Sequence, residues 1–185
     1  MIVIIPLGGT GERFKKNKYT EPKALIKVLG KPIIFFLLEN LNLELVEYVY
    51  IPYNKEYYNY RFEDLLIKNF PSIKFKFLKL ENDTEGALHT LLIAINNLDL
   101  PDCPILSLDG DNFYNIDIIK KWNGKNKVFT FEDKSNSKLP IYSYAKHKDN
   151  KILDIVEKEI ISDYACTGCY GFESFKELEF YADNL

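Results

Sequence analysis

Residues 1–14, MIVIIPLGGTGERF, pass from an unbroken apolar run into a glycine-rich turn within a few positions. A run with no polar face reads as a strand buried on both sides, the kind found in parallel sheets covered by helices. Gly8, Gly9 and Gly11 follow it directly. Glycines let the backbone approach a ligand closely and turn several N–H groups towards one anion. In open α/β sheets such loops at the carboxyl ends of strands are where ligands sit.

Outward from this stretch the pattern keeps alternating. Residues 31–42 are predicted to be helical, with Pro32 in the first turn and Ile33, Ile34, Leu37, Leu38 and Leu41 at helical spacing. Residues 46–51 read as a strand, 54–69 as a helix capped by Asn54, and 73–80 as a third strand. Residues 84–97 carry Leu88, Leu91, Leu92 and Ile95 on one helical side, and 104–108 form a short buried strand ending in Asp109-Gly110-Asp111. A short helix at 115–122 precedes β-rich segments at 127–132, 141–146, 152–157 and 164–172, with a turn at Asp149-Asn150. Four βα units and a β-rich tail predict an α/β fold: a three-layer α/β/α arrangement on a mostly parallel mixed sheet, with an antiparallel part appended.

With 185 residues and 21.6 kDa, the chain has room for one domain and a core that needs no metal or disulfide staple. Lys plus Arg number 24 against 27 Asp plus Glu, a net charge of -3, so nucleic acid is not an expected partner and any anion must be caught locally. No apolar run approaches the ~20 residues that span a bilayer, so no membrane partner is expected. The start lacks the basic segment of a signal peptide, and three cysteines fit a reducing compartment, so a cytoplasmic location is expected. Arg13 and Arg61 are the only arginines.

The glycine loop fails two familiar phosphate-binding patterns. The Walker A loop requires a Gly-Lys-[Ser/Thr] that is absent here. A dinucleotide fingerprint starting at Gly9 would put Phe14 where a glycine must pack, and Pro52-Tyr53 supplies no acid for a ribose. A third pattern continues to Glu21-Pro22-Lys23 and then Gly30-Lys31-Pro32 before a helix, and this chain follows it. Residues 4–34 closely resemble the amino-terminal signature of sugar-phosphate nucleotidylyltransferases, the sugar-nucleotide pyrophosphorylases.

The resemblance implies the nucleotide-diphospho-sugar transferase fold, related to that of the GT-A glycosyltransferases. It also implies transfer of a nucleoside monophosphate from an NTP to a sugar 1-phosphate or similar small phosphomonoester, with release of pyrophosphate. Amides around Leu7, Gly8, Gly9, Thr10 and Gly11 would cradle the triphosphate, and Arg13 and Lys23 would neutralise charge on the transferring group. The family usually has Gly-Thr-Arg where this chain has Gly11-Glu12-Arg13.

Asp109 and Asp111 put two carboxylates at a strand end, and Mg²⁺ needs few protein carboxylates because water and phosphate oxygens complete its shell. By resemblance Asp111 is the Mg²⁺ ligand and catalytic residue. Asp109 joins the nucleotide-binding set, at a position where relatives often carry a neutral residue. Thr84 and Gly86 resemble the family's segment beside the nucleobase; on the residues alone, Thr84 reads as a helix cap. Glu157 and Lys158 resemble the acceptor-binding Glu-Lys pair, and Thr167-Gly168 open a strand that borders the acceptor pocket.

Cys166 and Cys169 form a Cys-x-x-Cys inside β-patterned sequence, which reads as ordinary strand residues instead of a zinc or redox pair. Two other readings stay open at this point: a glycosyltransferase using Asp109-Gly110-Asp111 as its metal site, and a non-catalytic nucleotide-binding relative. The family generally places a further metal-binding aspartate downstream, and Asp183 lies in a different context. The expectation is therefore a single nucleotidyltransferase domain, truncated or part of a longer polypeptide, with residues 1–124 binding NTP and 125–185 beginning the acceptor-binding part. The oligomeric state is not read from the sequence.

Overall fold

The computed structural model describes residues 1–135 and 139–182, with Arg13 described by its backbone alone. Strand β1 (Ile2–Ile4) lies at the centre and explains the fold's layering. Ile2 and Ile4 point into one apolar cluster, with Leu91, Ala94 and Ile95 of α4 (Ala87–Asn96) and Phe175 and Leu178 of α6 (Phe175–Ala182). Val3 and Ile5 point into the other, with α2 (Ile33–Glu39), α3 (Phe62–Asn69) and α5 (Ile118–Lys121). Residues 2–5 are wholly buried, and each such side chain contributes about 1.5–3 kcal/mol. A continuous apolar run is what a strand between two helical layers requires.

β4 (Val49–Tyr53) pairs in parallel with β1 and with β5 (Phe75–Lys79), and β6 (Ile105–Leu108) pairs in parallel on the other side of β1. β10 (Tyr164–Phe172) then runs antiparallel to β6. Among the described residues the main sheet has eight strands in the order β5-β4-β1-β6-β10, then β8 (Ser143–Lys148) and β9 (Lys151–Glu157), with β7 (Lys127–Glu132) also on β10. β8 and β9 form a hairpin whose turn residues, Asp149 and Asn150, both have positive φ. Asp and Asn tolerate that left-handed conformation, which two-residue hairpin turns demand. The expected mixed, mostly parallel three-layer architecture is present.

The element bounds differ from the sequence pattern in specific ways. The first strand is regular only to Ile4; Pro6 has no N–H to donate, yet Leu7 still pairs with Tyr53 as an isolated bridge. Residues 31 and 32 do not begin the helix: β2 (Lys27–Val28) and β3 (Lys31–Pro32) close a small hairpin through Leu29 and Gly30, both at positive φ. The expected helix over 54–69 divides into a 3₁₀ segment (Lys55–Tyr60) and α3, because Arg61 adopts φ 47. Helix α1 (Glu12–Lys16) and helix α6 lie outside the elements that the sequence pattern predicts; α6 buries Phe175 and Leu178.

The arrangement positions one location in particular. The amino-terminal half of β10 pairs with β8 and its carboxyl half with β6. Between the halves the β7–β10 register shifts, between Cys166 and Tyr170. Strand β6 ends opposite this bulge and releases Asp109 at the gap.

Candidate active site

The glycine loop leaves β1 and is held from behind by Asn54, which is 1% exposed. Asn54 Nδ2 donates to the carbonyls of Gly8 (3.2 Å) and Gly9 (3.0 Å), and its Oδ1 accepts from Glu56 N (3.0 Å). Its side chain therefore caps the 3₁₀ segment, as expected, and also fixes the loop. With those carbonyls tied back, Gly9, Thr10 and Gly11 line the cleft on the other side of the loop. Lys15 of α1 forms an ion pair with Glu56, which ties the far end of the loop to the same segment.

Gly8 does not line the cleft. A Cβ there would lie 2.2 Å from Thr90 Oγ1 and 2.4 Å from Thr84 Oγ1, so glycine is needed for the loop to lie against the start of α4. Thr84 is not the helix cap, which is Gly86; instead the Thr84 and Thr90 hydroxyls share a 2.7 Å hydrogen bond beneath the loop. Thr84 thus supports the site from behind, while Gly86, Ala87 and Thr90 reach its surface.

Lys23 begins a 3₁₀ turn (Lys23–Leu25) whose Ala24 and Leu25 are buried. Ala24 N donates to the buried Tyr57 hydroxyl at 3.5 Å. The Lys23 ammonium reaches Asp111 Oδ2 at 2.5 Å, joining two motifs that lie far apart in the chain. Leu7, Gly9, Thr10, Gly11, Lys23, Gly86, Asp109, Asp111 and Lys158 line one cleft of about 540 Å³. Arg13 sits in α1 beside it, and its side chain lies outside the described residues, as does Asp183.

Asp109 and its neighbours dock onto the β10 bulge. Asp109 N donates to Gly168 O (2.9 Å), Asn112 Nδ2 to Thr167 O (2.7 Å) and the Tyr114 hydroxyl to the same carbonyl (3.2 Å). Gly168 has φ 72, and a Cβ there would lie 2.4 Å from Asp109 Oδ2. This glycine is required by both conformation and close approach. Burial, reinforced by the Asp111 carboxylate and opposed by Lys23, pushes Asp109 up to about 6.

Beyond the bulge lies a second cleft of about 570 Å³. Asp109 and Lys158 belong to both clefts; Glu157, Thr167 and Gly168 belong to the second. Lys158 follows β9 at φ 54, with its N–H held by Tyr142 O (2.9 Å) and its ammonium on Glu157 (2.5 Å). The outer wall is apolar: Phe113 is 58% exposed and Phe131 39%, with Ile116, Ile141 and Tyr142 beside them. Sequence reasoning missed Asn54 as a loop anchor, Tyr57, Thr90, Asn112, Tyr114 and this aromatic wall.

Cys166 and Cys169 are buried, unbonded strand residues, and among the described residues no group of three or more His, Cys, Asp or Glu could hold a metal. No helix among the described residues is long and apolar enough to cross a membrane.

The nucleotidyl transferase family model matches residues 2–183. The chain belongs to the nucleotidyl transferase family. It is 29% identical over 160 residues to the bifunctional protein GlmU of Methanocaldococcus jannaschii, covering 85% of this chain and 36% of that protein. It is 28% identical over 130 residues to 2-C-methyl-D-erythritol 4-phosphate cytidylyltransferase of Thermosipho africanus, covering 70% of this chain and 55% of the relative. The chain thus spans about a third to a half of the length of these relatives. A nucleoside-diphosphate-sugar pyrophosphorylase from Vibrio cholerae superposes with a TM-score of 0.74 at 22% identity, over 100% of this chain and 78% of that one. Likeness of this kind identifies the fold as that of the nucleotide-diphospho-sugar transferases.

Proposed function

We propose that the protein transfers a nucleoside monophosphate from an NTP to a sugar 1-phosphate or a phosphomonoester of similar size, releasing pyrophosphate. The observation that carries this reading is that the two clefts meet, with Asp109 and Lys158 on the wall of each. A reaction between two anions needs them held side by side, in line, with their charge neutralised. An acceptor phosphate oxygen attacks the α-phosphorus, the bond from that phosphorus to the α,β-bridging oxygen breaks, and pyrophosphate departs with its electron pair. No protein nucleophile is needed.

In this reading the amides of Gly9, Thr10 and Gly11 bind the triphosphate beside Leu7, whose own N–H donates to Pro52 O (2.8 Å), with Gly8 and Thr84 supporting the loop from behind. Gly86 and Ala87 border the nucleobase. Lys23 neutralises the transferring phosphate and the departing pyrophosphate, and Arg13 is assigned the same duty from the sequence pattern. Lys158 binds the acceptor phosphate, Glu157 a hydroxyl, and Phe113, Phe131 and Tyr142 the acceptor's body. Residues 1–124 supply most of the nucleotide cleft. Residues 125–185, with the turn from Asn112 to Ile118, supply the acceptor cleft.

The donor set fits Mg²⁺. Asp111 Oδ2 already holds a cation, the Lys23 ammonium, and Asp109 stands across the same turn, so hard oxygen donors converge where phosphates would arrive. Asp111, with Asp109, would hold the ion, which when bound supplies charge neutralisation at phosphoryl oxygens. The three free thiols fit a cytoplasmic enzyme of sugar-nucleotide or polysaccharide biosynthesis.

A glycosyltransferase could also use two aspartates, but it has no use for Lys23 and the glycine loop in the same cleft. Purified protein with Mg²⁺, screened across NTPs and acceptor phosphates, tests the proposal. Pyrophosphate release that needs both substrates is expected; nucleoside diphosphate release, or none with any pair, would overturn it.

A further inference from the structure

The Lys23–Asp111 contact has a direct consequence for how the site is loaded. Its backbone is fixed: Ala24 and Leu25 are buried, and Ala24 N donates to Tyr57. The side chains are not locked in the same way, being 33% and 28% exposed. The pair forms a partition between the nucleotide cleft and a smaller cavity of about 260 Å³ that Phe14 and Asn17 complete. The ammonium lies 5.7 Å from the Phe14 ring centroid, so an aromatic face backs it. The base of the Lys23 stem passes the glycine loop, where a Cβ on Gly11 would lie 3.8 Å from Lys23 Cβ. Lys23 lines the same cleft as Gly9, Thr10 and Gly11, so a phosphate arriving on that loop meets a flexible four-carbon stem.

We infer that Lys23 occupies the cation position on Asp111 in the ligand-free protein, so that the divalent metal enters with the nucleotide and not as the free ion. This rests on the nucleotidyltransferase reading and deepens it. A free ion binding Asp111 would have to displace the ammonium and leave it without an anion, two like charges apart by a few ångströms in a part-buried cleft. A metal–NTP complex brings the phosphates that receive the lysine, so each charge changes partner and none is stranded. Linkage makes the effect mutual: nucleotide raises the affinity for metal by the factor with which metal raises that for nucleotide.

Electron paramagnetic resonance of Mn²⁺, which reports the free aquo ion, tests this without turnover. Wild type should hold free Mn²⁺ weakly, and Lys23→Met should hold it about tenfold more tightly. Asp111→Asn should remove binding in either background. Lys23→Gln, nearer to lysine in polarity, serves as a second variant should Lys23→Met not fold. An α,β-methylene nucleotide analogue should draw Mn²⁺ onto the wild-type protein. Wild type binding free Mn²⁺ as tightly as the lysine variants would overturn the inference while leaving the metal reading intact. Failure of every form to hold Mn²⁺, even with the analogue, would overturn both.

Discussion

The two clefts are built from different materials. The proposed nucleotide cleft is made of loops at the carboxyl ends of parallel strands, and glycines and a few charged side chains stand on its wall. The proposed acceptor cleft is made of strand faces and one turn in the antiparallel half, and its surface combines an aromatic and aliphatic outer wall with polar side chains. A triphosphate is the same whatever base it carries, so one rigid cradle serves. An acceptor's body varies, and exchangeable side chains on strands can be replaced without disturbing the backbone. The division suggests where chemistry and specificity reside.

The largest effects should therefore fall on the pair that joins loop and turn. Lys23→Ala and Asp111→Ala should each lower kcat by about 100-fold or more while leaving the melting temperature near wild type. Pyrophosphate release and a thermal scan together check this. Turnover near wild type in either variant would remove the proposed division of labour.

Next comes the joint between the clefts. Gly168→Ala imposes a side chain at φ 72 and drives it to 2.4 Å from Asp109 Oδ2. It should cost about 2–4 kcal/mol in urea denaturation and damage binding in both clefts. A stable protein impaired for acceptor alone would mean that the turn does not couple them.

The comparison is sharpened by a pair of substitutions. Asn54→Ala leaves two loop carbonyls and one N–H without their partner and should weaken NTP binding by about 1–3 kcal/mol, with little effect on KM for the acceptor. Phe131→Ala should do the reverse, raising acceptor KM about tenfold with unchanged NTP affinity. Isothermal titration with NTP and steady-state kinetics separate the two.

The smallest effect concerns pH. Asp109 is raised to about 6 by burial and by Asp111, so the folded protein holds its proton more tightly than the unfolded chain does. That contribution to stability is present at acid pH and is lost as pH rises from about 4 through 6. In metal-free buffer Asp109→Asn should flatten the fall in stability across this window, as read from denaturation midpoints.

Much of the nucleotide half was legible because its constraints are local. A two-sided apolar strand, three glycines and a Pro-Lys at set spacing each leave a sequence trace, and residues 2–5 and Lys23 lie where those traces indicate. Asn54 carried only a cap signal, because its bonds to Gly8 and Gly9 reach back across 46 and 45 positions. Thr84 looked like a cap because Ser and Thr favour that place, yet its hydroxyl meets Thr90 six residues on. The aromatic wall was invisible for a topological reason. Phe113, Phe131 and Tyr142 come from three separate segments, and only the sheet order brings them together.

The central claim is that the clefts hold the two partners of one phosphoryl transfer. The direct measurement follows the label of an NTP carrying ³²P at the α-position through a reaction with acceptor phosphate and Mg²⁺. The account requires the label to appear in a nucleotide–acceptor conjugate, with unlabelled pyrophosphate formed in equal amount. Label recovered in nucleoside diphosphate, or left entirely in NTP with every acceptor tried, would contradict it.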